Sequence, residues 1–177
     1  RQFSQFCYTL MYMPGTTTYL DTPVLPIAAF AGPGNNPVDC EAENHVPKIG
    51  TVRGPSIGGK IMGPYAEPNQ TITITSVGTI PVPNPAYDGI GVTAATQKTI
   101  LRDFGFGIQT AASTVTVNAP DGVVQMPIVS WSENTIVATV PEALEGITGQ
   151  LLVNRGDTNK TSPVGISLTV GIAGSAV

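Results

Sequence analysis

From residue 113 onward, short β-prone runs alternate with turn signals at nearly regular spacing, and this rhythm leaves few architectures open. Ser113 to Val117 alternates polar and apolar residues, and Asp121-Gly122 is a dipeptide that closes tight hairpins. Pro127-Ile128-Val129-Ser130-Trp131 follows, then a turn at Ser132-Glu133-Asn134 and the run Thr135 to Val140. Gln150-Leu151-Leu152-Val153, a polar turn at Gly156-Asp157 and Val164 to Val170 complete the series. No helical stripe separates these runs. Strands of period two with no helix to cover them bury their apolar sides against a second sheet. The expectation is an all-β fold of stacked sheets.

Composition narrows the setting. Only 11% of the 177 residues are charged while 41% are hydrophobic, whereas about 25% charge is usual. Disordered chains combine low hydrophobicity with high charge, so this chain has a core despite Gly 20 and Pro 16. The net charge of −4, with eight Lys and Arg scattered along the chain, provides no basic stripe to displace phosphate counterions, and argues against nucleic acid. Apolar runs such as Val24 to Ala31 contain proline and fall short of the ~20 residues a membrane helix needs. The start at Arg1 reads as a processed product or a piece of a longer chain. A disulfide is the expected use of Cys7 and Cys40, against two free thiols. Closing that loop stabilises by roughly 3–4 kcal/mol on the chain-entropy estimate.

Residues 1–44 differ from the remainder. Phe3, Phe6, Tyr8, Tyr12 and Tyr19, with Leu10 among them, place five of the ten Phe and Tyr residues near the start. Gln5 to Met13 reads as a strand, Pro14-Gly15 as a turn and Thr16 to Leu20 as a second β-prone run. So short a segment has no core of its own. It either folds back on its own chain or adds as a strand to a neighbour's sheet edge through Phe3, Phe6, Tyr8, Leu10 and Tyr12. Head-to-tail addition of that kind builds a filament. Residues 45–177 form the second unit. Lys48 to Val52 and Thr71 to Thr75 alternate cleanly, and the prolines at 81, 83 and 85 imply extended loop or edge strand. Ala94 to Arg102 suits a helical turn or a strand equally.

An ordered set of motifs carries a family resemblance. Pro47 to Val52 is followed by Gly54-Pro55 and Gly58-Gly59, then by Thr71-Ile72-Thr73-Ile74 and Phe104-Gly105-Phe106-Gly107. Ser113 to Val117, Ile128 to Ser132, Thr135 to Pro141, Gly149 to Val153 and Leu168 to Val170 complete the order. Residues 46–170 thereby resemble an IPT/TIG domain, with 76–103 as an insertion. The resemblance implies an immunoglobulin-like β-sandwich preceded by a strand or hairpin arm. It also implies a spacer or binding role in bacterial surface or secreted proteins.

Chemistry-bearing patterns weigh against catalysis. Gly54-Pro55-Ser56-Ile57-Gly58 fits a nucleophile elbow, but Gly63-Pro64 soon follows and the one histidine, His45, precedes it. Ile61 stands where a phosphate loop requires Ser or Thr. The polar run Asp39 to His45 lacks the ladder of a calcium loop and reads as a solvated linker. Arg155-Gly156-Asp157 matches an adhesion tripeptide, yet Gly-Asp is ordinary turn chemistry. Asn69-Gln70-Thr71 and Asn159-Lys160-Thr161 fit the N-glycosylation pattern at Asn69 and Asn159. Trp131 reads as core, and Tyr65 and Tyr87 as exposed aromatics in proline-rich loops. The expected function is an extracellular or cell-surface structural or adhesive protein with no catalytic residue, metal or cofactor. Its expected partners are copies of itself or other surface proteins. A carbohydrate- or protein-binding module, or the accessory domain of a secreted enzyme, is the alternative.

Overall fold

The computed structural model describes residues 41–57, 60, 61, 63–87 and 97–171. Cys7, Cys40 and the arm residues Phe3, Phe6, Tyr8, Leu10 and Tyr12 lie outside these residues. The chain divides into two compact units, Arg1–Ala42 with Pro81–Leu101, and Glu43–Ile80 with Arg102–Val177. No α-helix occurs among the described residues, and none of their helices is long and apolar enough to cross a membrane.

The larger unit is all-β, as the alternation required. Strands β1 (Ile49–Arg53), β5 (Thr71–Ser76), β11 (Thr135–Thr139) and β10 (Ile128–Trp131) form one antiparallel sheet in that order. The other runs β4 (Tyr65–Ala66), β14 (Ile166–Val170), β12 (Thr148–Arg155), β8 (Thr114–Ala119) and β9 (Gly122–Gln125). In it β13 (Lys160–Thr161) also pairs with β12, and β4 runs parallel to β14. A two-stranded ribbon joins β2 (Ser56–Ile57) to β3 (Lys60–Ile61), where a nucleophile elbow would require a helix. Here Gly54 lies so close to the Tyr65 carbonyl that a Cβ would collide with it.

Period-two burial builds one core between the sheets. Ile72, Ile74, Ile136 and Ala138 point inward from one side. Val115, Val117, Leu151, Val153, Leu168 and Val170 meet them from the other. All are buried and β-branched, aliphatic or small, which suits close packing on pleated surfaces. Threonine takes many of the alternate positions, so the same residues that favour a strand also make its outer surface polar.

The hairpin expected at Asp121-Gly122 is present. It joins β8 to β9 in unbroken register, and the run after Pro127 crosses to the opposite sheet as β10. Met126 is fully buried, and Pro127 has no N–H with which to extend β9. The chain therefore passes over the sandwich edge at this point. The ambiguous stretch near Arg102 resolves as β7 (Thr99–Asp103), paired with β6 (Thr79–Pro83). In the smaller unit Asn84 is buried, donating through its amide to the Gln97 carbonyl at 2.8 Å and accepting from the Ala86 N–H.

Candidate functional site

Two kinds of feature stand out in the larger unit: broad uncharged sheet faces, and one compact charged cluster at an end of the sandwich. The outward positions of the six-stranded sheet follow from its register. Tyr65, Thr169 and Thr148 form one row, and Ser167, Gln150, Asn118 and Val123 the next. Leu152, Thr116 and Gln125 make a third, and Thr161, Asn154 and Thr114 a fourth. None of these residues is ionisable except Tyr65. Hydrogen bonds tie part of the face together: Thr148 Oγ1 to Thr169 Oγ1 at 3.0 Å, Gln150 Nε2 to Ser167 Oγ at 3.0 Å, and Thr161 Oγ1 to Asn154 Oδ1 at 3.1 Å. The opposite sheet presents Thr51, Thr71, Thr73, Thr75, Thr135, Val137, Thr139 and Ser130, with Arg53 as its one charge.

One cluster of charge lies off these faces. Arg155 continues the inward phase of Gly149, Leu151 and Val153, so β12 places a guanidinium in the end of the core. Its side chain is only 7% exposed, and isolated burial of that charge is prohibitive. It is fully engaged instead. Nη1 donates to Asp103 Oδ2 at 2.6 Å and to the Gly105 carbonyl at 3.1 Å. Nε and Nη2 donate to Asp157 at 2.9 and 3.2 Å. Gly107, at φ +67°, lies against this guanidinium, and a Cβ there would sit 2.3 Å from Nε. The glycines of Phe104-Gly105-Phe106-Gly107 let the loop lie flat on the charge while both phenylalanines are fully buried. Trp131 clamps the same loop, donating Nε1–H to the Gly107 carbonyl at 3.0 Å and meeting Phe106 edge-on.

Burial by itself raises the Asp103 carboxyl. Hydrogen bonds from Arg155, the Gly105 N–H and His45 outweigh it and hold the group below its usual range. The Asp157 carboxyl is lowered chiefly by the Arg155 hydrogen bond. Burial lowers the guanidinium, but Asp157 and Asp103 together raise it above its ordinary value. Tyr65 is raised, mainly by donating its hydroxyl to Glu67 at 2.5 Å.

The linker reading of Asp39 to His45 needs correction for its described part. His45 Nδ1 lies 3.1 Å from Asp103 Oδ2, and the Asn44 amide donates to Nε2 at 3.0 Å. Asn44 Oδ1 accepts the Asp103 N–H at 2.7 Å, and Lys160 Nζ bonds Glu43 at 2.9 Å. From Glu43 onward the segment docks on the cluster, because Glu43, Asn44 and His45 each find a partner there. No hydroxyl or thiol hydrogen-bonds the His45 ring among the described residues, and no metal-binding group of three occurs among them.

Arg155-Gly156-Asp157 is therefore an internal salt bridge on a tight turn. A Cβ on Gly156 would strike Thr110 and Ser113. Asn69 and Asn159 are both exposed at positive φ, at 64° and 52°. Trp131 is half-buried against the core, and Tyr87 is half-buried within the smaller unit. Sequence reasoning missed the Arg155 cluster, although a charge in the inward phase of β12 was the available signal. No protein-family model, curated protein or solved structure matches this chain.

Proposed function

We propose that this chain is an extracellular structural and adhesive protein that acts by surface contact and self-association rather than by turnover. The observation that carries the reading is the segregation of charge. Both sheet faces are hydroxyl- and amide-rich with Arg53 as their one charge, while Arg155, Asp103, Asp157, Lys160 and Glu43 pair at one end and Glu67, Asp121, Glu133, Glu142 and Glu145 lie in the turns and loops. Broad neutral faces approach other copies without like-charge repulsion.

We further propose the immunoglobulin type for the sandwich, as in the IPT/TIG domains it resembles. Numbering β1, β5, β8, β10, β11, β12 and β14 as first to seventh, one sheet has the order 1-2-5-4 and the other contains 3-6-7. That arrangement supports the reading, because immunoglobulin domains divide their seven strands in the same way. The N-terminal segment either folds back on its own chain or is donated to a neighbour, as its aromatic, strand-like sequence allows. A Cys7–Cys40 disulfide would tie it further.

Deleting residues 1–20 and sizing the product tests both uses of the segment. A folded-back segment leaves a product that aggregates or unfolds at lower temperature. A soluble, equally stable product that no longer associates indicates donation and filament growth. A product that associates and melts like the full chain contradicts both.

One observation favours carbohydrate as an additional partner: Tyr65 stands at the end of the Thr169–Thr148 hydroxyl row. Glycan-array binding lost in Tyr65→Ala would support it, and an empty array would remove it.

A further inference from the structure

We infer that β9 is the edge through which two copies of this chain pair, strand to strand, into a two-fold dimer. The inference rests on the self-association reading and specifies its contact.

The four borders of the two sheets are unequal. An unpaired strand invites another chain, and proteins blunt such edges with bulges, prolines, lysines or very short strands. At β1 the register breaks between Ile49 and Thr51, and Arg53 adds a charge. At β10 it breaks between Ile128 and Ser130, directly after Pro127. Opposite β9, the border consists of the two-residue strands β4 and β13, the latter carrying Lys160. Strand β9 has none of these guards. Gly122-Val123-Val124-Gln125 contains no proline or charge, and its ladder with β8 is continuous.

Its surface is also self-complementary. Val123 is 68% exposed on the outer face, flanked by Asn118 and Gln125, whose side chains make no hydrogen bond among the described residues. Antiparallel pairing about a two-fold axis perpendicular to the sheet keeps the same face outward on both copies. Among the registers this allows, Val123 opposite Val123 of the second copy covers the exposed valine with its equivalent. Directly opposed apolar pairs are the stabilising unit of such ladders. In this register Asp121 faces Gln125 of the second copy, so no like charges oppose each other. The outcome is one continuous sheet across two molecules and a closed, isologous contact. A four-residue edge alone buries far less than the ~1,000 Å² of a stable interface, so the dimer forms at high micromolar concentration or above.

Sedimentation equilibrium of the full chain from about 1 μM to 1 mM tests this, alongside Val123→Lys, Ser130→Lys on β10 and Val164→Lys on a loop. Near-ultraviolet ellipticity of Trp131 reports that each variant is folded. The wild type, Ser130→Lys and Val164→Lys should show the same monomer–dimer equilibrium, and Val123→Lys a dissociation constant raised at least about tenfold. Amide exchange at Val123 and Gln125 should slow as wild-type concentration rises. Dimerisation of Val123→Lys at the wild-type level, or loss in Ser130→Lys instead, overturns the β9 assignment and leaves the self-association reading standing. A wild type that stays monomeric throughout overturns both.

Discussion

At the residue scale the fold depends most on Arg155. Four polar contacts converge on a guanidinium set in the end of the core. Removing it leaves Asp103 partly buried without its strongest partner. Arg155→Met should lower unfolding free energy by about 3 kcal/mol, read as a shift of the urea midpoint. Arg155→Lys should recover only part of this, because an ammonium cannot reproduce the fork that engages Asp157 through two nitrogens. An unchanged midpoint in the methionine variant would contradict the role assigned to the cluster. The same groups set an acid limit. Asp103 and Asp157 titrate lower in the folded chain than in the unfolded one. Their contribution is complete above the ordinary carboxylate range near ~4 and is lost as pH falls through the folded-state values. Stability should fall below about pH 4, and less steeply in Asp157→Asn, as urea midpoints at successive pH values would show. These partnerships were barely legible in the sequence. Asp103 and Arg155 are 52 positions apart, and only the phase of β12 hinted that a charge points inward.

At the element scale legibility was much higher, for a physical reason. Alternation with β-branched residues is a local property, so β5, β8, β11 and β14 fall close to where their residues place them. Partnership is not local. The hairpin at Asp121 announced a turn, but it was the burial of Met126 and the missing N–H of Pro127 that sent β10 to the other sheet. The two-residue strands β4 and β13 are too short to show periodicity at all. Core strands should respond to truncation as close-packed elements do. Ile74→Ala, at a side chain with no exposure at the centre of β5, should cost about 2–5 kcal/mol. Thr73→Ala, one position along and facing outward, should cost far less. Equal losses at both positions, measured by thermal or urea unfolding, would contradict the inward–outward assignment of β5.

At the scale of the whole molecule, two compact units share one chain. The larger unit begins at Glu43. The self-association we propose rests on the surface of the larger unit: threonine- and amide-rich sheet faces with Arg53 as their one charge, and an uncharged β9 edge. Negative-stain imaging of the unmodified full chain over a concentration series tests this most directly. Single particles should give way to paired or polymeric assemblies as concentration rises. Isolated single particles at every concentration would contradict it.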